Sequence, residues 1–321
     1  MIRSIDVGSD CRLTVHEIEG HRTGPTLAVL GGVHGDELEG VTAARVLVAT
    51  IDPGLLRGRL RIVPVANPPA FDDTARCSPI DGLNLARRFP GAAAGSITDR
   101  IADAITDQVI NGADMLIDLH SAGAAYEMPL FAGFVDSGAT GPASEVAARA
   151  FGAPVLWVHD TENPGRSLTA AAALGVPSMY VEGSGGGGLR GSDLDGYIGG
   201  VWRVMSSMGM VDAAPRRFAH AAQDAIEIHG GTGDVDASLA TGADGYCVTR
   251  ARPGDVMRRG TLIAEILDDS GTVVENICAS RDGTLMLIRR RARVTAGDGI
   301  AMLGPVPVGF DLESASRGGG A

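Results

Sequence analysis

Apolar residues recur along this chain in two rhythms, and the change from one to the other divides it. Short, largely apolar runs at 26–32, 60–65, 115–119, 155–158 and 177–181 alternate with segments whose apolar positions return every three or four residues. The clearest of these is 96–111, where Ile97, Ile101, Ile105 and Val109 stand four apart on one helical face, opened by Ser96 and Asp99 at the spacing of a capping box. Residues 167–174 predict a second helix, closed by Gly175. Buried runs alternating with helices predict an α/β domain with a largely parallel sheet, here over 1–213.

From about residue 225 the texture becomes short alternating strands broken by turn residues, as at 225–229, 246–249 and 285–288, which predicts a separate all-β domain over 214–313. A faint repeat runs through it. Asp244-Gly245 leads to Pro253-Gly254-Asp255 and then Leu262-Ile263-Ala264, while Asp282-Gly283 leads to Ala296-Gly297-Asp298 and then Ile300-Ala301-Met302. Two such halves predict a pseudo-symmetric sandwich that resembles the barrel-sandwich fold of lipoyl and biotinyl domains. The tail 314–321, with three consecutive glycines, is expected to be disordered.

Composition narrows the function. The 321 residues are 45% hydrophobic and 21% charged, enough for one large domain and a smaller one. A net charge of -12 argues against nucleic acid or an anionic membrane as partner. No window approaches a membrane span, and the N-terminus lacks the apolar core of a signal peptide, so a cytoplasmic location is expected. Four cysteines, Cys11, Cys77, Cys247 and Cys278, have no C-x-x-C spacing and read as reduced packing residues. All 27 basic residues are arginine. The absence of lysine removes a Walker lysine, a Schiff base and a lipoyl or biotinyl carrier role.

The candidate chemistry begins at His34-Gly35-Asp36-Glu37, read with His120 in Asp118-Leu119-His120-Ser121. Two imidazoles and a carboxylate are the usual ligand set of a catalytic zinc ion, which leaves one position for water of raised acidity. Both histidines follow apolar runs and so stand at C-terminal strand ends, the edge where open α/β sheets bind ligands. Asp118, two residues before His120, is placed to orient its ring. Glu182 ends a third run, just before Gly183–Gly188, where a partly buried carboxyl can serve as general base and acid. A helix cap or a buried ion pair is the alternative for Glu182. The loop from Asn67 to Gly91 is dense in turn formers and carries Arg76, Arg87 and Arg88. Guanidinium groups beside a zinc site point to an anionic substrate, with Arg88 assigned to solvent.

These motifs together resemble the succinylglutamate desuccinylase/aspartoacylase family, zinc amidohydrolases related to zinc carboxypeptidases. The resemblance rests on Gly31 to Glu37, Asn67-Pro68, Arg76, Leu85 to Gly91, Asp118 to Ser121 and Glu182, in family order; Ser78 to Gly82 matches the N-α-acetyl-diaminobutyrate deacetylase group within it. It implies a zinc-carboxypeptidase-like mixed sheet flanked by helices, and one zinc per chain on His34, Glu37 and His120. It further implies that Arg76 polarises the scissile carbonyl, that Arg87 grips a carboxylate, with Asn67 and Asn84 among the substrate contacts, and that Glu182 moves the proton. The family's usual Asn-Arg is Ala86-Arg87 here, which removes one amide.

The expected substrate is therefore a small anionic N-acyl amino acid, and the chain is compatible with a homo-oligomer. A zinc carboxypeptidase and a non-catalytic ligand-binding homologue are the alternatives. Gly183-x-Gly185-x-x-Gly188 formally matches a dinucleotide fingerprint but lacks the following strand and acidic residue. No G-x-S-x-G elbow supports a serine hydrolase. His159 reads as a hydrogen-bonded structural residue, His16, His21, His220 and His229 as surface or turn residues, and Tyr126 and Tyr246 carry no specific signal.

Overall fold

The structure, a computed structural model, describes residues 1–8, 11–161, 163–218, 225–231, 233 and 238–312. Its strands, in chain order, are β1 (Ile2–Gly8), β2 (Cys11–Glu19), β3 (Arg22–Gly31), β4 (Arg57–Val63), β5 (Met115–Leu119), β6 (Tyr126–Glu127), β7 (Phe131–Val135), β8 (Val155–His159), β9 (Ser178–Glu182) and β10 (Ile226–His229). All but β6 form one sheet in the order β1-β2-β4-β3-β5-β9-β7-β8-β10. Its centre, β4-β3-β5-β9, is parallel, whereas β7 meets β9 antiparallel.

Alternation along the central strands separates two cores. Leu27 and Val29 of β3 pack with α1 (Leu38–Thr50), whereas Ala28 and Leu30 face the other way. The short α2 (Pro68–Asp72) follows β4, and α3 (Ile97–Ile105) packs its Ile101 and Ile105 in the second core. Phe151 of α4 (Gly141–Phe151) joins the first core; Ala170 and Ala171 of α5 (Ser167–Ala173) join the second. Finally α6 (Gly191–Ser207) places Tyr197 and Trp202 in the first. The α3 N-terminus has the expected capping box of Ser96 and Asp99. Its last turn widens, Asn111 N donating to Thr106 O at 2.9 Å.

The C-terminal strands are β11 (Leu239–Ala240), β12 (Gly245–Thr249), β13 (Val256–Met257), β14 (Leu262–Leu267), β15 (Val273–Cys278), β16 (Gly283–Arg289), β17 (Arg293–Val294) and β18 (Gly299–Gly304). They form two antiparallel sheets, β11-β18-β16-β13 and β15-β14-β12-β17. Each half of the repeat lends the other a strand: β13 pairs with β16, and β17 with β12. The repeated aspartates play equivalent parts, Asp255 accepting from Arg252 N (2.8 Å) and Asp298 from Thr295 N (2.9 Å).

One expectation is corrected. The strand at 226–229 is the edge of the large sheet, parallel to β8, and not the start of the β domain. Ile228 is drawn there by Trp157 and Phe131, in a cluster that also contains Met286 and Met302. In return β6 pairs with β16, so the two parts interlock across the 213/214 boundary. The tail 314–321 and His220 lie outside the described residues. Among the described residues no helix is long and apolar enough to cross a membrane, and the four cysteines form no disulfide.

Helix α1 lies in backbone contact with β5. A Cβ on Gly40 would come within 2.2 Å of Leu119 O. Gly40→Ala should therefore destabilise the protein by about 1–3 kcal/mol, the usual cost of overpacking; a denaturant midpoint unchanged from that of the parent protein would contradict this packing.

Candidate active site

Three neighbouring strands end together. Gly31 of β3 is in register with Leu119 of β5, and Leu119 with Val181 of β9. The residues that come next, His34, His120 and Glu182, therefore emerge at one sheet edge. The turn after β3 is compact because Gly35 touches the backbone of α2, where a Cβ would fall 2.0 Å from Ala70 O. Asn67 fastens the same contact, capping α2 through Ala70 N (3.4 Å) and donating to Val33 O (3.3 Å).

The buried Glu37 carboxylate sits between the two rings. Its Oε1 lies 2.6 Å from His34 Nδ1 and its Oε2 lies 2.9 Å from His120 Nδ1. Ser121 N donates to Oε2 at 3.2 Å and Arg76 Nη1 to Oε1, also at 3.2 Å. The outer nitrogens of both rings are occupied. His34 Nε2 is 3.0 Å from Asn84 Oδ1, and His120 Nε2 is 3.1 Å from Asp118 Oδ2. Asp118 also accepts from the Ser167 hydroxyl at the start of α5, and Tyr197 holds the His120 carbonyl.

Burial alone would push the Glu37 carboxyl up, but His34 and His120 outweigh it and hold it far below the usual range. Burial lowers His34, whereas Asp118 and Glu37 overcome burial at His120 and raise it well above an ordinary imidazole. One ligand atom from each of His34, Glu37 and His120 can be chosen so that all three lie within 4.8 Å of one another. Two Nδ1 atoms and a carboxylate converging in a buried space need positive charge among them. Arg76 supplies part of it, and a divalent metal ion fits the same donor set.

Glu182, one strand over, is set differently. Its Oε2 is buried and accepts no hydrogen bond from the described residues. Burial first, and the Glu37 carboxylate second, push its carboxyl up to about 8. It faces a cavity of about 70 Å³ that His34, His120, Arg76, Ala86, Arg87, Arg166, His159 and Tyr180 also line. That space takes roughly five waters, the scale of a small acylated amino acid.

The structure thus brings His34, Glu37, His120, Arg76, Arg87 and Glu182 together. Asn67 and Asn84 do not line the cavity. Both are turned to local structure, Asn67 fully buried at α2 and Asn84 bonded to His34 and Ala86 N. Exposed Arg88 pairs with Asp99 at 2.7 Å. His159 both lines the cavity and is hydrogen-bonded, to Tyr180 OH (2.8 Å) and Gly231 O (3.0 Å). Tyr126 and Tyr246 lie off the cavity. His16 is half-buried, and His21 and His229 are exposed. Sequence reasoning missed Arg166, Asn163 and Ser167; the turn formers Asn163-Pro164-Gly165 between a strand end and α5 were the available signal.

The catalytic-domain model of the succinylglutamate desuccinylase/aspartoacylase family matches residues 23–208. The chain is 32% identical to the N-α-acetyl-L-2,4-diaminobutyric acid deacetylase of Halomonas elongata over 88% of its own length and 83% of the relative's. A succinylglutamate desuccinylase structure from a Silicibacter species superposes with a TM-score of 0.84 at 28% identity, covering 95% of this chain and 93% of that one. The product-bound ectoine utilization protein EutE (DoeB) of Ruegeria pomeroyi gives 0.83 at 28% identity with the same coverage.

Burial lowers the His159 imidazole to about 4. Its neutral form contributes stability that is complete above the ordinary value of about 6.5 and is lost as pH falls towards 4. NMR titration of the His159 ring protons should give a midpoint near 4; a midpoint near 6.5 would contradict the buried, hydrogen-bonded placement.

Proposed function

Because the chain belongs to the succinylglutamate desuccinylase/aspartoacylase family, we propose that it is a zinc-dependent amidohydrolase that removes the acyl group from a small N-acyl amino acid. The observation that carries this reading is the pairing of two adjacent carboxyls in opposite states. Glu37 is held ionised between two rings, and Glu182 is raised towards neutrality beside it. Such separation is how one site provides both a ligand and a proton carrier.

His34, Glu37 and His120 would hold the zinc ion, the two rings through Nδ1, since Asn84 and Asp118 already engage Nε2. When bound, zinc supplies Lewis acidity, which lowers the pKa of water and polarises a carbonyl. In its ionised form Glu182 takes a proton from the attacking water through its unengaged Oε2. Oxygen adds to the amide carbon, Glu182 returns the proton to the nitrogen, and the C–N bond breaks to give a carboxylate and an amine. Arg76 donates to the carbonyl oxygen as negative charge gathers there. Arg87 and Arg166 face the same space and bind the substrate's carboxylate. Asn84 and Asp118 act as positioning residues for the rings, and Asn67 for the turn that carries His34.

Four results are expected. Glu182→Gln should keep one zinc per chain and lose at least about a hundredfold in turnover; near-normal turnover would return Glu182 to a structural role. His120→Ala should lose metal and activity together while circular dichroism shows the fold retained, and full zinc retention would overturn the ligand assignment. On a panel of N-acyl amino acids against dipeptides, turnover should be confined to the former, and Arg87→Ala should abolish the preference for a free carboxylate over its carboxamide. Turnover of dipeptides alone would favour the carboxypeptidase alternative.

A further inference from the structure

A second concavity lies away from the candidate active site, between the segment after Glu182 and the C-terminal sheets. It is a groove open to solvent, of about 710 Å³, and its walls include Arg190, Arg250, Arg252 and Arg290 together with Glu127 and Ser184. Four guanidinium groups on one cleft are notable in a chain of net charge -12, whose overall field repels anions.

Their partners do not balance them. Arg190 Nη1 and Arg290 Nε share the single carboxylate of Glu127, at 2.9 and 3.4 Å. Arg250 Nε pairs with Glu265 at 2.6 Å. Arg252 is exposed, and among the described residues its hydrogen bonds are those of its backbone, N to the Asp255 carboxylate and O from Asp255 N. Glu127 is the one carboxylate among the residues that line the cleft, against four arginines; Glu265 pairs with Arg250, and Asp193 and Glu39 act on Arg190 from beside it, so Arg252 is the guanidinium left without an ion pair among the described residues. Planar guanidinium forks favour oxyanions, and the cleft is the size of a small-molecule site.

We propose that this cleft binds a small oxyanion of the phosphoryl or polycarboxylate class. It is placed to influence the catalytic centre. Glu127 forms a backbone bridge with Gly185, three residues after Glu182, and Gly185 N donates to buried Glu39 at 3.0 Å. Glu39 in turn accepts from Ser121 Oγ at 2.6 Å, and Ser121 N donates to Glu37. An anion that draws Arg190 and Arg290 from Glu127 therefore acts on the segment that supports both carboxyls. The binding itself does not depend on the hydrolase reading.

The test uses the full chain with sodium sulfate, inorganic phosphate or tricarballylate, each against sodium chloride at matched ionic strength. At 50 mM, at least one of them should raise Tm by about 2 °C or more. Arg252→Ser, which breaks no side-chain hydrogen bond or ion pair among the described residues, should raise the concentration needed for half the shift by about tenfold, the scale of a lost charged hydrogen bond. Arg87→Ala should leave that concentration unchanged. Preference for sulfate and phosphate identifies the phosphoryl class, preference for tricarballylate the carboxylate class, and either supports the site. No shift beyond chloride, or a shift lost in Arg87→Ala and kept in Arg252→Ser, would overturn it.

Discussion

The buried carboxylate of Glu37, held between the Nδ1 atoms of His34 and His120, is the interaction on which the rest of the site depends. An isolated carboxylate in such a place is costly enough to protonate or unfold its surroundings, so every nearby element serves to keep positive charge beside it. The parallel strands β3 and β5 bring the rings to one edge. Gly40 lets α1, which begins directly after Glu37, rest on the β5 backbone. Asn84 and Asp118 fix the outer ring nitrogens, so the inner ones have only one direction in which to point.

Glu182 shows what the same burial does without such partners. It lies near Glu37 and feels its charge, yet its Oε2 accepts no hydrogen bond from the described residues, and its carboxyl rises to about 8. Two carboxyls at one sheet edge, Glu37 at the start of α1 and Glu182 at the end of β9, are thus separated by their neighbours alone. The cavity they face adds Arg76, Arg87 and Arg166, a concentration of positive charge suited to an acidic small molecule.

The central strands and the three strand-end residues were legible in the sequence because each combines a buried apolar run with a polar residue that burial alone would not favour. His34, His120 and Glu182 all have that form. The repeat of the C-terminal half was legible through its turn aspartates, which the fold uses in equivalent hydrogen bonds. What could not be read was set by contacts distant in the chain. Residues 226–229 alternate like any half-exposed strand, and only the partner cluster around Trp157 decides which sheet they join. Asn67 and Asn84 lie in a loop that reads as substrate-binding, and the structure shows a local part for each that the sequence does not: Asn67 bonds Val33 and Ala70, and Asn84 Oδ1 bonds His34 and Ala86. Arg166 follows Pro164-Gly165 in a short loop, with no spacing rule to connect it to residues 34 or 120.

Under the proposed function, the donor set around Glu37 is the place of a single zinc ion. The most direct measurement is anomalous diffraction at the zinc edge from crystals of the zinc-loaded protein. One peak per chain is expected, bonded to His34 Nδ1, His120 Nδ1 and the Glu37 carboxylate, with both Nε2 atoms still on Asn84 and Asp118. A peak on other residues, or crystals with no ordered zinc at this cluster, would contradict it.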